Sequence, residues 1–331
     1  MKLRILVCAL LLAAAGAVAC AQQGKLVVAV KGEQTMAVVD PAAGKVTATV
    51  PEGGKTGHEL TTSPDGRLAY VPIYGNSGVG QPGTDGSNMV VIDIASAEIV
   101  GNVDFGHGVR PHLPAFGPKD GMLYVTTELD RTITIIDPKT LKIVGAIPTG
   151  QPESHMLAIA HDGRRGYTAN VGPGTVSVLD MKARKLLKVI PVSSNTQRIA
   201  ISMDDKWVFT ADQTKPQMAV IDTGTDTAAH WVPMEAIGYG GAFTPDGRWF
   251  LITLPDKNKV GVIDLKTMQV VRTVAVGNYP QAIVVEPDGK TAYVSCMHSG
   301  MVDAIDLASW SVTKEIAIGK QADGMAWAAG Q

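Results

Sequence analysis

The sequence is short of cysteine. Three occur in 331 residues, Cys8, Cys20 and Cys296, too few to build a disulfide framework. Aromatic residues make up 5%, too sparse for the stacking platforms that hold single-stranded nucleic acids. No run of lysine or arginine occurs and the formal charge is −2, so the electrostatic footprint of a nucleic-acid-binding domain is missing. Beyond the first segment no apolar stretch approaches the roughly eighteen residues of a membrane span, and none keeps a 3.6-residue period. Gly-x-Ser-x-Gly, paired-carboxylate and phosphate-loop motifs are also absent, which leaves no ready-made catalytic signature.

The first segment reads as an address rather than as part of a fold. Lys2 and Arg4 precede the apolar run Ile5–Val18, which ends in "AVACAQQ", the pattern of a secretory signal with small residues at the cut. Cleavage before Gln22 is expected, giving a signal peptide over 1–21 and a mature chain over 22–331. Lipidation of Cys20 is the alternative, although Ala17 stands where a lipobox prefers leucine. Either way the chain is expected to be exported, to the periplasm or beyond, with a lipid anchor as its only tie to a membrane.

What the sequence has in quantity is glycine, proline and repetition. It holds 36 Gly and 19 Pro. Seven segments share an apolar–x–apolar–apolar–Asp pattern, ending at Asp40, Asp93, Asp137, Asp180, Asp222, Asp264 and Asp306 with gaps of 53, 44, 43, 42, 42 and 42. Between them recur "SPDGRLAYV", "GPKDGMLYV", "AHDGRRGYT", "SMDDKWVFT", "TPDGRWFLI" and "EPDGKTAYV". Each repeat reads as four short strands, with Val, Ile, Tyr and Thr in the strands and Pro, Asp and Gly in the turns. A four-strand unit repeated at this period predicts β-propeller blades. Seven aspartates predict seven blades. The chain ends on a lone first strand, "ADGMAWAAGQ", and begins after the signal on a second strand, "KLVVAVKGE", so the two ends are expected to share a composite blade. The recurrent Asp, always at a strand end before a turn, is read as a turn cap rather than a catalytic acid.

The segments "SPDGRLAYV", "EPDGKTAYVS", "AVIDTGTDT" and "GVIDLKTMQVVRTVAVGNYP" resemble the YVTN-type β-propeller repeat family of secreted bacterial proteins, over essentially residues 25–328. More distantly the chain is similar to the propellers that carry haem d1 and to the large subunit of quinoprotein amine dehydrogenases. Lactonase-like propellers share the architecture. The resemblance implies a single seven-bladed propeller; no catalytic motif of those enzymes is matched, so no residue role carries over.

Departures from the repeat point to a site. From the second-strand aromatic to the third-strand Asp is 13 residues in five copies and 23 between Tyr70 and Asp93, which places an insertion within "PIYGNSGVGQPGTDGSN", read as a flexible Gly-rich loop. Counting 12 back from the aromatic position gives His58, His112, His155, Gln197, Tyr239 and Gln281, and the composite blade supplies Asp323. The loop before each of the three histidines is longer than the others, by one or two residues. Insertions gathered on one face of a repeat fold mark its binding face, so these seven polar positions are expected to ring the mouth of the central channel.

Three neutral imidazoles with an open position suit zinc or copper, or a haem-type cofactor. Glu59 and Glu153 are candidates to orient the rings, and His107 and His298 lie on the same face as candidates to join them. The plainer alternative is a hydrated polar channel. Arg110 and Arg198, beside the ring, either hold an anionic group or pair with nearby acids such as Glu128, Asp130 or Asp212. His161 is expected in a solvated turn on the opposite face, His230 on an outer strand, and Cys296 as a half-buried bystander at the start of a loop. The expected function is an exported binding or scaffold protein holding a small ligand, a metal or a peptide at the mouth. The alternatives are a metal- or haem-dependent oxidoreductase-like enzyme using the three histidines, or a lactonase-like hydrolase, for which Asp323 is the only acid in the ring.

Overall fold

Twenty-eight strands pair into seven antiparallel four-stranded sheets. The computed structural model describes residues 24–54 and 57–330; the expected signal segment and Cys20 lie outside them. Six sheets are contiguous in sequence: blade 1 (61–104), blade 2 (111–148), blade 3 (154–191), blade 4 (196–233), blade 5 (241–275) and blade 6 (280–317). Blade 7 is composite. Its inner strand Ala322–Ala328 pairs with Lys25–Val30, Leu26 opposite Trp327 and Val28 opposite Met325, and Thr35–Asp40 and Lys45–Pro51 complete it. The closure read from the two ends of the sequence is thus the one observed. Among the described residues, no helix is long and apolar enough to cross a membrane.

Both faces of each middle strand are apolar, because each blade must bury both sides of its sheet. The core accordingly forms seven clusters, one at each seam between neighbouring blades. Tyr70 packs at the seam with blade 2, and Tyr167 at the seam with blade 4. No seam is stable alone, since a single sheet leaves a face in water; radial stacking removes both faces and the long edges together.

The recurrent aspartates cap turns in all seven copies. Asp40 accepts the amide of Ala43, Asp93 those of Ala95 and Ser96, Asp180 that of Ala183 and Asp306 that of Ser309, with Asp137, Asp222 and Asp264 alike. Immediately before each of these aspartates the ladder to the outer strand slips by one residue. Such a bulge leaves one outer-strand residue unpaired. In four blades that residue is Val100, Val144, Leu187 or Val271, all exposed on the rim.

The inserted segment after Tyr70 is more ordered than expected. Its ends extend the hairpin, so the strands run Leu68–Gly75 and Asp85–Asp93, and the loop proper is 76–84. Glycine is required at the join: a Cβ on Gly86 would lie 1.6 Å from the Ile73 carbonyl oxygen.

Candidate binding site at the channel mouth

The seven positions counted from the repeat do form a ring. His112, His155, Gln197, Gln281 and Asp323 are each the second residue of an inner strand, while His58 and Tyr239 precede the shorter inner strands Thr61–Thr62 and Gly241–Phe243. His112, His155, Gln281 and Asp323 are buried; His58, Gln197 and Tyr239 remain partly exposed.

The three imidazoles converge. The His112 ring stacks on His155 at 3.5 Å with planes 28° apart, and His58 lies 5.7 Å from His112. Tyr74, carried by the extended hairpin, stands edge-on to all three rings at 5.2, 5.5 and 6.0 Å. Each Nδ1 has a partner: the His155 carbonyl at 3.2 Å for His112, Glu128 at 3.3 Å for His155, and Lys31 at 3.3 Å for His58, with Asp323 at 3.6 Å. Burial, aided for His112 by the neighbouring His155, lowers the pKa of both stacked rings, so they stack as neutral imidazoles.

Around the rings runs a buried network of charge. Arg198 of blade 4 donates to Glu59 of blade 1 across the channel, its guanidinium 4.2 Å from the centre of the Tyr239 ring. Asp323 of blade 7 lies between His58 and Arg198; burial alone would raise its pKa, but the His58 ring and the Arg198 charge outweigh it and hold Asp323 ionised. Glu128 is likewise held below the usual range against burial, by His155, by the Tyr74 hydroxyl at 2.7 Å and by Arg110. Among the described residues, three buried polar atoms of this network have no hydrogen-bond partner: Asp323 Oδ1, Arg198 Nε and Glu128 Oε1.

The geometry corrects several expectations. Arg110 is turned away from a ligand: it donates to Asp85 at 2.6 Å and to the carbonyls of Gln81 and Gly78, so it staples loop 76–84 over the mouth. Its backbone is left-handed, φ 51°, which aims the side chain at that loop. Glu59 and Glu153 do not orient the rings; Glu59 pairs with Arg198, and Glu153 accepts the amide of Gly172. His107 pairs with Asp130 at 2.9 Å and His298 stacks on Tyr279, so neither joins the cluster. Cys296 is fully buried, not half-buried, and burial pushes its thiol up. His161 sits in a turn as expected but is tied to the next blade, its Nδ1 2.6 Å from Asp205. His230 lies on an outer strand, Thr227–Pro233. Asp323 is the only acid of the seven ring positions, and Glu59 and Glu128 stand beside the ring.

A carboxylate or carbonyl behind each stacked ring suits a metal ligand. However, lone pairs lie in the ring plane, and two rings stacked face to face send them side by side rather than to one point. Among the described residues no three His, Cys, Asp or Glu side chains are arranged to hold a metal ion, so His58, His112 and His155 meet as a packed cluster and not as a chelate. A tetrapyrrole fits the channel no better, because Arg198–Glu59 bridges it and both arginines are committed to the chain's own groups.

Sequence reasoning missed Lys31, Tyr74 and Glu128. Tyr74 and Glu128 lie four residues beyond Tyr70 and Tyr124, and Lys31 stands at the matching place in blade 7, directly after Lys25–Val30. The same alignment, carried past the second strand, would have shown a second polar set facing the first.

The fold and this mouth define the class: a seven-bladed β-propeller whose channel is closed by a buried charge and histidine cluster. Comparison with known proteins refines that placement. Residues 117–241 match the family described as the cytochrome D1 haem domain, and residues 237–330 match the YNCE-like β-propeller family. Hydrazine synthase of Kuenenia stuttgartiensis superposes with a TM-score of 0.67 at 18% identity, over 81% of this chain and 88% of that one. The dihydro-haem d1 dehydrogenase NirN, in complex with DHE, superposes with a TM-score of 0.66 at 17% identity, over 88% of this chain; the chain spans 63% of that protein's length. No curated protein matches in sequence. The chain therefore resembles haem d1 propellers at a distance, as its repeat motifs implied, and these structural likenesses speak to the fold alone.

Proposed function

We propose that the chain is an exported binding propeller that takes a small molecule bearing both a hydrogen-bond donor and an acceptor, such as a zwitterionic amino acid or an amide, at the channel mouth. The observation that carries this reading is the sector formed by Asp323 and Arg198. Among the described residues one carboxylate oxygen and one guanidinium N–H stand unpartnered there, beside the part-exposed His58 and Tyr239. Buried polar groups are normally satisfied, and a ligand presenting an ammonium or amide N–H to Asp323 and an oxygen to Arg198 satisfies both. A related fold seen with a small molecule, NirN in complex with DHE, supports a binding role. The bridged channel disfavours a ligand of that size here. Export rests on the basic start, the apolar run and the small residues before Gln22.

Calorimetric titration of the mature chain with a panel of zwitterionic amino acids and small amides tests the proposal. Saturable binding is expected, weakened about tenfold or more in Asp323→Asn, as loss of a hydrogen bond to a charged group costs about 1.5–3 kcal/mol. No binding across the panel, or equal binding by the variant, overturns it.

A further inference from the structure

The hairpin between the second and third strands of blade 6 carries "CMHSGM", Cys296 to Met301. Its turn is closed by the amides of Ser299 and Gly300 donating to the Cys296 carbonyl, so Met297 and His298 open a four-residue turn, 297–300, and Met301 follows it directly. All three line one cleft of about 860 Å³ at the seam with blade 7. The thioethers are half-buried and the imidazole is exposed. His298 makes a ring stack on Tyr279 at 4.3 Å, planes 17° apart, which fixes the ring plane and leaves its edge nitrogens without a partner among the described residues.

We infer that this turn is a soft-metal site, binding Cu(I) through Met297, His298 and Met301. The chemistry of the lining selects the ion. Thioether and imidazole donors favour Cu(I), whereas magnesium, calcium and manganese need carboxylate and carbonyl oxygens. The cleft's one carboxylate, Glu33, accepts the amide of Lys320 through Oε1. Zinc is disfavoured because the cleft offers one imidazole and no accessible thiolate; Cys296 beneath the turn is fully buried. The site is separate from the channel mouth and does not depend on the ligand proposed there.

Competition between the mature chain and the chromophoric chelator bicinchoninate, under reductant, tests it. Wild type is expected to withdraw one Cu(I) per chain, and X-ray absorption of the complex to show sulfur and nitrogen neighbours. Met297→Leu, Met301→Leu and His298→Asn keep size and turn geometry; each is expected to weaken binding about tenfold or more, since even outer partners of a metal site are worth 10–100-fold. The double leucine variant is expected to lose competition. Melting curves that match wild type show that these variants are folded. Failure of wild type to compete, hairpin variants that bind as wild type, or loss of Cu(I) in His112→Gln rather than in the hairpin overturns the inference.

Discussion

Arg198 of blade 4 pairs with Glu59 of blade 1 across the channel, both side chains less than a tenth exposed. The pair links blades that are not neighbours in the ring, and so bridges the passage that a propeller leaves at its axis. Its energetics follow from burial. Two charges withdrawn from water are tolerated while each neutralises the other, and removing one strands its partner. Glu59→Gln is therefore expected to cost about 3–5 kcal/mol, while the double change Arg198→Met with Glu59→Leu is expected to be near neutral or stabilising. Urea denaturation of the single and double variants measures both; equal losses in the two would show that packing, not charge, dominates.

Glu52 sets a pH dependence of the opposite sense to ordinary carboxylates. It is fully buried in the loop leading to His58, accepts the Gly57 amide, and burial raises its pKa to about 7. The folded state thus holds a proton that the unfolded chain releases above pH 4.5. Stability from this group is complete below pH 4.5 and declines as pH rises towards 7, by up to about 3 kcal/mol. Glu52→Gln should remove that decline, so that the variant gains on wild type as pH rises and the gain levels off above 7. Paired denaturation curves from pH 4.5 to 8 check the sign.

The stacked histidines act the other way. Burial lowers their pKa below the unfolded 6.5, so the unfolded chain binds protons first and stability falls as pH drops through 6.5. His112→Phe, which keeps a ring against His155, should lose less stability than wild type between pH 7 and 5. Proton-detected nitrogen spectra of the imidazoles offer a direct readout: His112 should remain neutral as the pH is taken below 6.5, the ordinary value for the unfolded chain.

Arg110 holds loop 76–84 by three hydrogen bonds. Arg110→Ala should raise amide exchange across that loop and open it to protease, at a cost of about 1–3 kcal/mol for the charged and buried partners it leaves. Unchanged exchange would show that the loop is held by its own hairpin.

Much of this architecture was legible in the sequence because a propeller is periodic. Blade number, the closing blade, the capping aspartates and the seven ring positions all follow from one spacing repeated. What was not legible is what differs between equivalent places. His112 and His155 stack because adjacent inner strands bring the same register together, yet nothing in their spacing shows that their lone pairs run parallel. Glu59 meets Arg198 across the ring, 139 residues away, a contact that no nearest-neighbour pattern encodes. Arg110 looked like a ligand residue beside the mouth; its left-handed backbone, invisible in the sequence, turns it onto the loop. Lys31, Tyr74 and Glu128 lie at the far end of the second strand, outside the inner-strand positions that the repeat spacing picks out.

The most direct test of the binding account is where a ligand lands. Crystals of the mature chain soaked with the tightest binder of the amino acid and amide panel should show it between Asp323 and Arg198, against His58 and Tyr239, with Asp323 Oδ1 accepting and Arg198 Nε donating. Density confined to the clefts between blades, with those two atoms bonded only to water, would contradict it.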